Sequence, residues 1–150
     1  MRVLRSLAAF VALPGVVAYA LPLLIVHDAA LGPYPHPAGA ALIVAGSALL
    51  LACVREFHVA GRGTLAPWSP PERLVTSGPY RFTRNPMYLA VATVLAGWAL
   101  LFASRPLALY GLAVVAAFEL RVRLAEEPWA ARRFGEAWAA YRAKVPRWLI

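Results

Sequence analysis

Cysteine is almost missing from this chain. Cys53 stands alone, which excludes an internal disulfide and any multi-cysteine metal site; at the end of an apolar run it reads as a small buried hydrophobe. Histidine is scarce too. His27, His36 and His58 are scattered, and no pair carries metal-ligand spacing with a carboxylate, so no metal is expected. Glycine-rich phosphate loops are absent: Gly61-Arg62-Gly63 is too short for a dinucleotide fingerprint and reads as a flexible turn. Charge is thin at 15% of residues, against about 25% in soluble domains. Acids are the scarcest, with 7 Asp and Glu against 15 Lys and Arg, for a net charge of +8. No basic stripe is interleaved with exposed stacking aromatics, so nucleic acid is not the expected partner.

What fills the chain is apolar sequence. The hydrophobic fraction is 61% and the mean hydropathy +0.63, which points to lipid as the solvent. Stretches free of Asp, Glu, Lys and Arg run over 6–27, 29–54, 85–104 and 106–118. Roughly 20 residues at about 1.5 Å each cross a hydrocarbon core. The first three stretches suffice, and the fourth does so if Glu119 faces the bundle or a polar cavity instead of lipid. The expected fold is all-α, an integral membrane bundle of about four transmembrane helices plus an interfacial C-terminal helix. Spans are expected near 6–26, 38–55, 86–103 and 106–122. With the N-terminus inside, every Lys and Arg except Arg105 falls on the cytoplasmic side, and the connection HDAALGPYPHP (27–37) carries none, as an external loop should. The basic balance is thereby explained by topology and anionic headgroups. Both termini are then cytoplasmic, in an inner or plasma membrane of bacterial type. Arg2, Arg5 and Ala18-Tyr19-Ala20 imitate a cleaved leader, but the apolar run continues through Leu21–Val26, and a span is the preferred reading.

We read one membrane domain, with 1–55 as a two-helix anchor and 56–150 as the core. Pro67, Pro70, Pro71 and Pro79 rule out one continuous helix between spans two and three. Ser104-Arg105-Pro106 leaves only a tight turn between spans three and four, with Pro106 at the first helical position. A helix over about 128–143 follows, with Phe134, Trp138 and Tyr141 on one face; it is either an anchor in the headgroup layer or the closure of a site. Small residues at Gly39, Ala40, Ala45 and Gly46 permit close packing of span two, within the chain or between copies.

Two polar clusters interrupt the apolar pattern. GPYRFTRNPMY (78–88) precedes span three. Asn85 reads as its cap and Pro86 as its first turn, while Gly78-Pro79 reads as a turn. ELRVRLAEEPW (119–129) closes span four with the pair Glu126-Glu127. Antiparallel neighbours bring both clusters to one cytoplasmic mouth, a setting for a polar ligand carrying both charge signs.

LVTSGPYRFTRNPMY, a helical hairpin, then EEPWAARRFGEAWAAYRAKVPRWLI: this order resembles the C-terminal half of the isoprenylcysteine carboxyl methyltransferase and phospholipid methyltransferase superfamily. The resemblance covers about residues 72–150 and rests on the G-x-Y-x-x-x-R-(H/N)-P-x-Y block, the Glu-Glu pair and the V-P ending taken together. It implies S-adenosylmethionine as cofactor, held by Leu74, Val75, Tyr80, Asn85, Pro86, Met87, Tyr88 and Glu126, with Glu126 meeting its amino group. It also implies a lipid-like acceptor among membrane lipids. Asn85 stands where the isoprenylcysteine branch has His, and Val122 where that branch has a substrate-contacting Arg, so a prenylcysteine acceptor is not implied. A carboxylate acceptor needs orientation, for which Arg121 or Arg123 would serve; an amine must lose a proton, to Glu127 or Glu119. The rival reading is a non-enzymatic transport or assembly factor in which Arg84, Glu119 and Glu126 form a structural ion-pair network, with Glu126 salt-bridged to Arg84 and no cavity beside it. Oligomeric state is left open.

Overall fold

Prolines decide where the helices of this chain begin and how they bend. The computed structural model describes residues 11–27, 36–62 and 71–149; the first few residues of the expected span one, most of the external loop and Pro67 and Pro70 lie outside them. Helix α1 is wound in wide π turns over Val11–Ala20 and continues as Leu21–His27. Pro22 has no N–H, so the carbonyls of Val17 and Ala18 lose the donors that i+5 or i+4 bonding would supply. Side chains from the neighbouring helices replace them: the Tyr110 hydroxyl donates to the Val17 carbonyl at 2.9 Å and Trp98 Nε1 to that of Ala18 at 3.0 Å.

Helix α2 (Ala38–Val59) and α3 (Pro86–Leu101) pack face to face. Glycine permits their approach. A Cβ on Gly39 would lie 2.4 Å from the Leu101 backbone nitrogen, and one on Gly97 would lie 2.7 Å from the Gly39 carbonyl oxygen. Gly39 and Gly46 of span two therefore serve contacts within the chain, while Ala40 and Ala45 are exposed. Leu50, Ala90, Val91, Val94 and Leu95 form the core here, together with Ala18 of α1. That core joins residues of the expected anchor to residues of the expected core portion.

A 3₁₀ turn, Gly78–Arg81, leads into α3. Gly78 has φ +56°, and a Cβ on it would press against the Glu56 side chain at 2.8 Å, so both conformation and space call for glycine. Helix α4 (Arg105–Arg121) returns after a three-residue turn. Ser104 Oγ accepts the Leu107 N–H, capping α4, and Pro106 sits in its second position, one later than expected. A π turn, Val122–Glu126, links α4 to α5 (Glu127–Phe134). Then the expected single helix over 128–143 is corrected: Gly135, at φ 53° and ψ −124°, breaks it, and α6 (Glu136–Lys144) sets off anew.

Among the described residues the fold is all-helical, without strands. Among the described residues one helix, Ala38–Val59, is long and apolar enough to cross a membrane unaided, whereas Pro14–His27 and Pro86–Leu101 are apolar but shorter. Large aliphatic side chains nevertheless point outward on several helices, among them Val44, Leu51, Leu109 and Leu112.

Candidate active site

Where the start of α3 meets the end of α4, the chain lines an open-mouthed cavity of about 620 Å³. The tight α3–α4 hairpin brings the two polar clusters together, as the antiparallel reading requires. Leu74, Val75 and Met87 supply apolar wall, and Tyr80, Asn85, Arg121, Glu126 and Glu127 supply polar atoms. Pro86, Tyr88, Arg123 and the candidate proton acceptor Glu119 do not line it. Pro86 is fully buried at the start of α3. Tyr88 lies behind the wall, its hydroxyl donating to Glu126 Oε1 and its ring stacked on Phe118 at 4.2 Å. Arg123 is 60% exposed and bound to Glu119.

Glu126 is held from two sides. Tyr88 and Arg121 Nε, the latter at 2.7 Å, both donate to Oε1, while Oε2 accepts no hydrogen bond among the described residues. Adjacent residues of a helix point about 100° apart, so successive carboxylates meet different partners. Glu127, the next residue, turns to Arg147 through paired bonds of 2.9 and 2.8 Å. Arg84 Nη1 also reaches Glu127 Oε1 at 2.9 Å; the alignment is not that of a hydrogen bond, so this is a charge contact. Burial would raise the Glu127 carboxyl's affinity for protons, but the Arg147 bonds and the Arg84 charge outweigh it and hold the group below its usual range. Burial lowers the pKa of Arg84, partly offset by Glu127. The bond to Glu127 raises that of Arg147.

Aromatic groups complete the wall. Phe57, Trp129, Phe134, Trp138 and Tyr141 line the cavity, with Trp138 and Tyr141 buried. Arg84 lies over the Trp138 ring at 5.6 Å. The Tyr141 hydroxyl donates to the Tyr80 carbonyl at 2.7 Å, tying α6 to the 3₁₀ turn; burial pushes the Tyr141 phenol up to about 12 and that of Tyr80 well above its ordinary value. The C-terminal helical segment thus covers the cavity instead of serving as an anchor alone.

Two expectations are corrected at this point. Asn85 occupies the N-cap position of α3 but makes no side-chain cap; its Nδ2 donates to the Arg147 carbonyl at 3.1 Å, which turns the amide toward that later segment. The anticipated structural pair of Glu126 with Arg84 does not form: Glu126 takes Arg121 and Arg84 takes Glu127. Sequence reasoning missed Arg147 and Thr83, whose hydroxyl donates to the Arg147 carbonyl at 2.8 Å. The available signal was a proline followed by a cation and an indole just past an amphipathic helix, and it is weak.

Among the described residues the chain is all-helical and largely apolar, and one cavity at the helix ends gathers a carboxylate and several aromatic rings. A family profile described as phospholipid methyltransferase matches residues 35–137. The chain belongs to this phospholipid methyltransferase family, which supports an enzyme role. No curated protein and no solved structure matches the chain significantly.

Proposed function

We propose that the protein is an S-adenosylmethionine-dependent methyltransferase acting on an amphipathic or lipid-like acceptor at the cytoplasmic face of the membrane. In this reading α1 to α4 are four spans in a bacterial-type inner or plasma membrane, with both termini cytoplasmic and 56–150 as the cofactor-binding portion. The observation that carries the proposal is the cavity itself. Its volume, about 620 Å³, falls within the roughly 300–1,000 Å³ of small-molecule sites.

The residues present fit the cofactor. Oε2 of Glu126, which accepts no bond among the described residues, suits an ammonium, the aromatic walls suit a flat heterocycle and a sulfonium cation, and Leu74, Val75 and Met87 suit the apolar remainder. Bound there, S-adenosylmethionine would supply an already activated methyl group. The chain then has to orient donor and acceptor and keep water out. Arg121, at the cavity and about half exposed, is placed to pair with an acceptor carboxylate. Glu127, held by two arginines, is a poor proton acceptor, and Glu119 is taken by Arg123, Arg147 and Trp148. That favours a carboxylate acceptor, which needs no deprotonation, over an amine.

The rival, a structural Arg/Glu network without catalysis, has one observation in its favour: Arg84, Glu127, Arg147 and Glu119 do form such a network. It stands beside the cavity without filling it. Titration calorimetry of the detergent-purified protein with S-adenosylmethionine separates the readings. We expect saturable binding by the wild type, weakened at least about tenfold in Glu126→Gln, since a charge-assisted contact of about 1.5–3 kcal/mol is removed. A well-folded wild type that binds none, with lipid supplied, leaves the structural reading.

A further inference from the structure

Beyond α6 the backbone turns extended at Val145, and the next three residues fasten onto parts of the chain that are remote in sequence. The carbonyl of Pro146 accepts the Arg84 N–H at 2.9 Å. The carbonyl of Arg147 accepts two donors, Thr83 Oγ1 at 2.8 Å and Asn85 Nδ2 at 3.1 Å. The guanidinium of Arg147 grips Glu127 through two bonds and reaches Glu119 at 3.5 Å. Trp148 Nε1 donates to the other oxygen of Glu119 at 2.8 Å. The loop before α3, the end of α4 and the start of α5 are thereby joined by one short segment. The family profile ends at residue 137, so this segment lies outside it.

The contacts carry directional information. A carbonyl can only accept, so the bond to Arg147 fixes which end of the Asn85 amide is spent and leaves its oxygen as the end for a ligand donor. The paired bonds to Glu127 hold that carboxylate in one plane, since a planar fork meets two oxygens at once. Arg147 itself does not line the cavity, while Asn85 and Glu127 do.

We propose that residues 146–148 form a clasp in which Arg147 is a positioning residue, setting Asn85 and Glu127 on the cavity wall without touching the ligand. The effect on cofactor binding rests on the function proposed above; the clasp as a mechanical tie does not. The test uses the full chain in detergent with Arg147→Met, Arg147→Lys and Thr83→Val. It reads amide hydrogen exchange by mass spectrometry together with S-adenosylmethionine affinity by calorimetry. In Arg147→Met we expect faster exchange confined to peptides covering 83–89 and 119–127, and a Kd raised about tenfold. Arg147→Lys restores the charge but not the fork, and is expected to fall between that variant and the wild type. Thr83→Val removes one bond to the clasp, and we expect a smaller change in the same direction. Wild-type affinity and wild-type exchange in Arg147→Met would overturn the proposal, as would exchange that rises evenly over the chain, the mark of a merely structural residue. Should the wild type bind no cofactor, the function falls and the exchange pattern alone decides the clasp.

Discussion

Glu127 sits between two guanidinium groups, and its titration follows from that. Its pKa in the fold lies below the ordinary value of about 4.3, so it contributes stability that is complete above that value and drains away as pH falls through the lower, folded one. We expect the unfolding midpoint in detergent to drop as pH falls below about 4, and the drop to be shallower in Glu127→Gln. Tyr141 offers a second test at this scale. Tyr141→Phe leaves the Tyr80 carbonyl without its buried donor, at a cost of about 1–3 kcal/mol. The loss is to be read as a lower unfolding midpoint. Because the phenol's pKa is raised to about 12 by burial, the wild type is expected to lose stability as pH climbs past about 10, where an unfolded tyrosine ionises.

At the level of helices, the α2–α3 crossing depends on glycine for clearance and not for flexibility. Gly97→Ala would place a methyl 2.7 Å from the Gly39 carbonyl oxygen, against backbone that cannot yield as a side chain would. We expect destabilisation of about 1–3 kcal/mol, the range of overpacked cores, measured as the shift in unfolding midpoint; Gly111→Ala, whose Cβ would meet Leu95 Cβ at an ordinary 3.5 Å, serves as the tolerated control. The hairpin of α3 and α4 was legible because Pro86 and Pro106 mark its starts and Ser104 its turn. The break at Gly135 was not, since Phe134 and Trp138 keep helical spacing straight across it. Nor were the π turns, because apolar periodicity near 3.6 residues does not encode a single inserted residue. Asn85 looked like a cap because the group that orients its amide, the carbonyl of Arg147, lies 62 residues away.

For the whole molecule, the four-span arrangement proposed above makes a prediction about sidedness. In a Cys53→Ser background, a cysteine at Arg105 should react with an impermeant maleimide added outside intact cells, and one at Arg133 only after the membrane is opened. Equal labelling of both from one side would contradict the topology. Most of the cavity wall was readable from the two polar clusters, because antiparallel helices fix which ends meet. Thr83 was not, since its partner is a backbone carbonyl that no side-chain pattern announces, and neither was Arg147, whose carboxylate partner Glu127 lies 20 residues away. The same clasp gives the chain a timetable. Synthesis runs from the N-terminus at about 5–20 residues per second, so the apolar helices can enter the bilayer seconds before Arg147 exists to bind Glu127. Until then Glu127 lacks its paired partner and Asn85 its acceptor, so the pocket is finished last, in a protein already seated in its membrane.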